Sequence, residues 1–92
     1  MTRKLVHTRD ALSDRELVEV KVWEVPMSED FPEGLKYSFA YIKDSERILG
    51  YDNERGKSHH RHFKGKETKI EFENIWKLLE KFKEEVQRLT EK

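Results

Sequence analysis

Apolar residues change their spacing once along this 92-residue chain, and that change constrains the fold more than any other feature. Up to about residue 72 they alternate with polar residues in short segments, which is typical of β-strands with one buried face. From about Glu73 they recur every three or four residues, which predicts an amphipathic helix. We therefore expect one α+β domain over residues 1–92, with an antiparallel sheet of four to six strands and a C-terminal helix packed on it.

Strand signals lie in six segments: KLVHTRDAL, RELVEVKVWEV, LKYSFAYIK, RILGYD, HHRHF and KETKIEF. The first two and the next two are predicted hairpins, each joined by a short polar turn, and a short helix is the weaker alternative for the first segment. Both prolines of the chain fall in PMSEDFPEG, which predicts a loop between the hairpins. The predicted helix places these apolar side chains on one face: Ile75, Trp76, Leu79, Phe82, Val86 and Leu89.

The composition limits the classes of protein to which the chain can belong. It has no cysteine, which excludes disulfides and thiolate metal sites. No apolar run approaches the ~20 residues that cross a bilayer, and the first ten residues lack the apolar centre of a secretory signal. We expect a soluble cytoplasmic protein with no membrane association. The 41% of charged residues suits the ion-paired surface of a thermophilic protein.

A net charge of zero conceals a local basic excess. Residues 10–54 contain twelve acidic and five basic side chains. Residues 55–69 contain one acidic residue, Glu67, and six basic ones: Arg55, Lys57, Arg61, Lys64, Lys66 and Lys69. The basic segment favours a polyanionic ligand, and the acidic region around Glu29, Asp30 and Glu33 is a candidate contact for a protein partner.

Three histidines lie within four positions of the basic segment, in the sequence HHRH. If the segment is extended, His60 and His62 point to one side of the sheet, and His59 and Arg61 point to the other. One interpretation is a set of polar residues on an exposed turn. Another is a zinc site formed by His60, His62 and Asp52, in a metal-dependent nuclease or hydrolase. The spacing matches no established zinc motif, and the surrounding cations oppose a divalent metal.

Metal-free cleavage of RNA through its own 2′-hydroxyl fits these residue types better. The reaction needs a base, an acid and cations beside the phosphate, and imidazole can act as acid or base near neutral pH. We expect His60 and His62 to be the acid–base pair, with Asp52 orienting one imidazole and no cofactor. The predicted RNA contacts are Arg55, Arg61, Lys64, Tyr51 and His59.

Two further possibilities stay open at this point. The aromatic residues Tyr37, Phe39 and Tyr41 are expected in the core rather than as stacking platforms for bases, whereas Tyr51 suits either a phosphate contact or a structural hydrogen bond. A binding module without catalysis, for RNA or for a protein, is the alternative function.

The segment LKYSFAYIKDSERILGYDNERGKSHHRHFKGKE, followed by a helix that starts FENIWKLLEKF, resembles the TumE family of toxins from toxin–antitoxin systems. The likeness runs over residues 16–89, and its motif is Tyr51-Asp52-Asn53 followed by HHRH at 59–62. In that family a basic residue often precedes Tyr-Asp-Asn; here Leu49-Gly50 precedes it, so Arg47 or Arg55 would take that role.

The resemblance implies a bacterial or archaeal toxin, and small toxins of this general kind are often α+β ribonucleases that act without a metal. We expect the ligand to be RNA, either free or ribosome-associated. It also implies a neighbouring helix-turn-helix DNA-binding antitoxin as the protein partner.

Overall fold

The computed structural model describes residues 2–53 and 58–90. In chain order the elements are β1 (Arg3–Ser13), β2 (Glu16–Glu24), β3 (Leu35–Lys43), β4 (Glu46–Asp52), β5 (His60–Phe63), β6 (Lys66–Lys69) and α1 (Ile75–Thr90). The six strands form one sheet in sequence order, and every neighbouring pair is antiparallel. The predicted α+β class is confirmed, with six strands at the upper end of the expected range.

Two tight turns have the backbone conformation that suits a twisted hairpin. Asp44 and Ser45 join β3 to β4 with φ angles of 53° and 65°, and Lys64 and Gly65 join β5 to β6 at 48° and 83°. Two successive positive φ angles match the right-handed twist of the flanking strands. The guanidinium of Arg15, between β1 and β2, donates to both carboxylate oxygens of Asp44 at 2.6 and 2.7 Å. This contact ties the first hairpin to the second.

The core lies between the sheet and α1. It consists of buried residues from the three central strands and the helix: Val18, Val20, Val22, Tyr37, Phe39, Tyr41, Leu49, Tyr51, Ile75, Leu78, Phe82 and Val86. The Phe82 ring is fully buried, with its centroid 5.5 Å from that of Phe39 and 5.1 Å from that of Tyr51. The aromatic residues of β3 are therefore core residues, as predicted.

The helix begins at a capped N-terminus and buries a narrower face than the sequence predicts. Asn74 Oδ1 accepts a hydrogen bond from the Lys77 backbone N–H at 2.9 Å, as an N-cap does. Trp76 is 60% exposed, so its predicted place on the buried face is wrong. Each helical residue advances by about 100°. That rotation carries Trp76 away from the buried stripe that begins at Ile75.

The last strand is shorter than the pattern predicts. The β6 strand ends at Lys69, although the alternation continues through Ile70 and Phe72. Both residues are still partly buried against the core. Within the described residues no helix combines the length and apolar character that a membrane span requires.

Candidate functional site

The two faces of the sheet divide the histidine segment. Arg61 pairs in register with the buried Tyr51 and lies on the α1 side, whereas His60 pairs with Asp52 on the opposite side, here called the open face. His62 follows His60 by two residues and shares the open face. His59 packs into the core side against Tyr37. The predicted division of the four residues between the two faces is confirmed.

A cavity of about 350 Å³ opens on the open face. Residues of β3, β4 and β5 line it, together with one residue directly after β4: Lys36, Tyr37, Ser38, Arg47, Asp52, Asn53 and His62. We call it the open-face cavity. His62 Nε2 lies 3.2 Å from Asp52 Oδ2 and 3.6 Å from Glu67 Oε1. The His62 imidazole thus lies between two carboxylates on the open face. The cationic side chains of Lys36 and Arg47 line the same cavity.

His60 shares the open face but is not among the residues that line this cavity, and it is more deeply buried than His62. It is 8% exposed, and its Nδ1 is 3.3 Å from the backbone oxygen of Ser58. The register partner of His60 is Asp52. The carboxylate of Asp52 also contacts His62. The two imidazoles therefore flank Asp52 on one face.

Arg47 reaches the open-face cavity through a bulge and a glycine. The pairing of Tyr41 with Leu49 and of Ile42 with Arg47 leaves Ile48 as an extra residue in β4. A bulge of this kind redirects the side chains beside it. Arg47 lies over Gly50, because a Cβ at position 50 would come within 3.1 Å of Arg47 Cδ and 3.3 Å of its Nε. The glycine leaves the room that the guanidinium occupies.

Arg61 and Tyr51, predicted as RNA contacts, form a network with Glu85 on the α1 side. Arg61 Nε donates to Glu85 Oε2 at 3.0 Å, its Nη2 binds the same oxygen, and Tyr51 donates to Glu85 Oε1 at 2.5 Å. Burial alone raises the pKa of the Glu85 carboxyl, but the hydrogen bonds from Arg61 and Tyr51 outweigh it, so that pKa lies below its ordinary value. The sheet separates Arg61 and Tyr51 from the open-face cavity.

His59 also lies in the protein interior. Its Nδ1 is 2.8 Å from the Tyr37 hydroxyl and its Nε2 is 3.2 Å from Glu33 Oε2. The His59 ring stacks on Phe72 with centroids 4.4 Å apart. Burial, with the charges of Asp52 and Glu33, raises the pKa of Tyr37. Through its contacts with Tyr37 and Glu33, His59 links β3 to the loop that precedes it.

The remaining predicted contacts lie at the edge of the site or outside it. Lys64 is exposed in the turn between β5 and β6, with its Nζ 5.4 Å from the centroid of the Phe63 ring. Arg55 lies outside the described residues.

Three residues that were not predicted as site residues help to form the cavity. Lys36 and Ser38 alternate with core residues of β3, so their parity alone assigns them to the open face. Asn53 is 3% exposed; its Oδ1 accepts from the Tyr37 N–H at 2.9 Å and its Nδ2 donates to the Leu35 oxygen at 2.7 Å. The Asn53 side chain thus extends the pairing of β3 with β4 beyond the end of β4. Sequence alternation cannot reveal such a contact.

This arrangement has the parts needed to bind a phosphate and to move a proton. Arg47 and Lys36 supply positive charge, and His62 supplies a group that both accepts and donates protons. In residues 2–53 and 58–90, no three His, Asp or Glu side chains are arranged as ligands of one metal ion.

The similarity of this chain to known proteins lies at the level of a family. No curated protein and no solved structure matches it. A family model described as toxin TumE matches residues 2–90, which is almost the whole chain. The protein therefore belongs to the TumE family of toxins.

Proposed function

We propose that this toxin is an endoribonuclease that cleaves RNA at the open-face cavity, by acid–base catalysis and without a metal ion. The observation that carries the proposal is the contact of His62 with Asp52 beside Arg47 and Lys36 in one cavity. Cleavage of a phosphodiester needs both a group that transfers protons and cations that stabilise the charge on the phosphate.

In the proposed reaction one imidazole removes the proton from the 2′-hydroxyl of RNA. The 2′-oxygen then bonds to the neighbouring phosphorus, and the bond from phosphorus to the 5′-oxygen of the next nucleotide breaks. The second imidazole gives a proton to that leaving oxygen. The products are a 2′,3′-cyclic phosphate and a 5′-hydroxyl. General acid and base steps of this kind contribute about 10²- to 10⁴-fold each.

His60 and His62 are suited to these two roles by their spacing on β5. Residues two apart on a strand lie about 6.5 Å apart on the same face. That separation allows one imidazole on each side of a phosphorus atom. Asp52 orients the His62 ring through its 3.2 Å contact and limits the ring's rotation.

Arg47 and Lys36 stabilise the negative charge that develops on the phosphorane. A guanidinium can donate two parallel hydrogen bonds to phosphate oxygens, which fixes orientation as well as charge. Lys64, which is exposed in the turn between β5 and β6, contacts the RNA backbone farther along the strand. We assign Arg61, Tyr51 and His59 a supporting role, since their polar groups are engaged inside the protein.

Cleavage of labelled RNA in excess chelator tests the proposal. The wild type is expected to cleave, and His62→Ala and His60→Ala to be at least about 10²-fold slower. His7→Ala is the matched control, because His7 lies on the open face beside Glu19, away from the cavity, and its loss should leave the rate unchanged.

Three outcomes contradict the proposal. One is cleavage that the chelator abolishes, which supports a metal-dependent nuclease. Another is undiminished cleavage by both histidine variants. The third is tight RNA binding with no cleavage of free or ribosomal RNA, which supports a binding module.

We also propose that a helix-turn-helix antitoxin neutralises this toxin by direct contact. The family supports an antitoxin in general, and the acidic loop between β2 and β3 offers a surface for a basic partner. Co-expression of the small protein encoded next to the toxin gene should restore growth and yield a complex that co-purifies. Restored growth without a complex would contradict direct contact.

A further inference from the structure

A second cavity adjoins the open-face cavity and has a different character. Its volume is about 470 Å³, and its lining is largely apolar and aromatic: Thr2, Trp23, Val25, Pro26, Ser28, Phe31 and Lys36. Lys36 lines both cavities. Lys36 is therefore the point at which an extended ligand passes from one cavity to the other.

We propose that this second cavity is a nucleobase subsite, which stacks the base next to the scissile phosphate on Trp23. The inference rests on the proposed function, since the ligand is the same RNA strand. An aromatic side chain beside a cationic one is how proteins hold an unpaired nucleotide, by stacking on the base and charge on the phosphate. Here Trp23 supplies the ring and Lys36 supplies the charge.

The sheet sets the distance between the two cavities. Trp23 and Lys36 are register partners on β2 and β3, and Lys36 Nζ lies 5.9 Å from the Trp23 ring centroid. Ser38 follows Lys36 by two residues on the same face and pairs with Asp52. The step from Lys36 to Ser38 is about 6.5 Å. This is comparable to the spacing of neighbouring nucleotides in an extended single strand.

Backbone hydrogen bonds hold the loop that forms the far wall of the subsite. The Phe31 backbone oxygen accepts from the N–H groups of Ser28 at 3.2 Å and Gly34 at 2.9 Å, and the Val25 N–H donates to the Gly34 oxygen at 2.9 Å. Gly34 has a φ of 72°, which glycine adopts without strain. The backbone at Phe31, which lines the same cavity as Trp23, is thus held in place before any ligand binds, and this lowers the entropic cost of binding.

The two tryptophans allow a direct test by fluorescence. Trp23 lies in the proposed subsite, and Trp76 is exposed on α1, on the other side of the sheet. The probe is a short single-stranded 2′-O-methyl oligonucleotide, which cannot be cleaved, titrated in excess chelator. In Trp76→Phe, where Trp23 is the sole reporter, the probe should quench fluorescence. In Trp23→Phe, where only Trp76 reports, it should not.

Affinity and an abasic probe complete the test. Trp23→Ala should weaken binding about 5- to 100-fold, as expected for the loss of one stacked base, and Trp76→Ala should bind as the wild type does. An abasic oligonucleotide should bind the wild type and Trp23→Ala equally weakly. Because the Trp76→Phe protein keeps Trp23, its quenching remains informative even if Trp23→Ala does not fold.

Two results overturn the subsite, and they separate it from the proposed function. If the probe binds and RNA is cleaved while Trp23 is not quenched and Trp23→Ala binds normally, the subsite is wrong and the ribonuclease proposal stands. If the protein neither binds nor cleaves RNA, both are wrong.

Discussion

Each residue of the Tyr51-Asp52-Asn53 segment performs a different task, because the strand directs successive side chains to different places. Tyr51 points into the core and donates to Glu85, Asp52 points to the open face and contacts His62, and Asn53 binds the backbone of β3. The motif therefore contacts the helix, the candidate site and the start of β3 within three residues. A substitution at each position should produce a different defect.

Gly50 offers a prediction at the scale of one residue. Gly50→Ala should lower kcat/KM for RNA cleavage roughly 3- to 30-fold, because the new Cβ displaces Arg47 by a few tenths of an ångström. The protein should lose less than about 1 kcal/mol of stability, because the atoms displaced belong to a flexible side chain. Steady-state kinetics and urea unfolding measure the two effects.

A double-mutant cycle supplies the control for this prediction. In an Arg47→Ala background the substitution at Gly50 should have no further effect on kcat/KM, since the displaced group is already gone. An equal loss in both backgrounds would show that Gly50 acts by some route other than Arg47.

The sequence predicts side-chain direction at this scale better than it predicts partners. Alternation assigns His60 and His62 to one face and Arg61 to the other, as the structure has them. It does not reveal that Arg61 is engaged by Glu85, because that partner is 24 residues away on a helix. Local charge counting therefore overstates how much positive charge is available to a polyanionic ligand.

At the scale of elements, the contact of Glu85 with Arg61 and Tyr51 holds α1 against β4 and β5. The Glu85 side chain is 13% exposed and that of Arg61 is 27% exposed, so water screens the pair only in part. Hydrogen bonds to charged groups at such sites contribute about 1.5–3 kcal/mol. The network thus keeps β5, and the histidines on its other face, in a fixed position.

Glu85→Gln should lower the free energy of unfolding by about 1.5–3 kcal/mol at pH 7, measured by urea denaturation. The effect should depend on pH. The pKa of Glu85 is lowered in the folded protein, so its charged form contributes stability above the ordinary carboxyl pKa. That contribution decreases below the ordinary carboxyl pKa and disappears as pH falls through the lowered pKa, so wild type and variant should converge only at a pH below that lowered pKa.

The exposed pair of Glu73 and Lys77 provides a matched control. Its atoms lie 2.9 Å apart, but the side chains are 71% and 63% exposed. Glu73→Gln should lower the free energy of unfolding by less than about 0.5 kcal/mol, both at pH 7 and at low pH. If the two glutamate variants lose equal stability, the buried network does not hold the helix as described.

Element boundaries follow from periodicity except where packing decides them. The β3 strand matches its predicted span of residues 35–43, because alternation and flanking turns agree there. The errors at Trp76 and at the end of β6 differ in kind: Trp76 is apolar but exposed, whereas Ile70 and Phe72 are partly buried as expected but lie beyond the last residue of the strand. An apolar residue indicates burial, but only the packed structure shows where the covered surface ends.

For the whole molecule, a net charge of zero coexists with two faces of different character. One face of the sheet is covered by α1 and closes an aromatic core. The opposite face carries the open-face cavity with its imidazole, carboxylate and cations. The class of fold could be predicted from the sequence, whereas the cavity could not, because it needs the register of three strands and the bulge in β4.

The central claim is that the open-face cavity cleaves RNA through the 2′-hydroxyl, and the chemical ends of the products test it most directly. RNA cut by the purified toxin in excess chelator should carry 2′,3′-cyclic phosphate and 5′-hydroxyl ends, and a single 2′-deoxy substitution at the cleaved position should block the cut. Products with 3′-hydroxyl and 5′-phosphate ends, or cleavage of the 2′-deoxy substrate, would contradict the account.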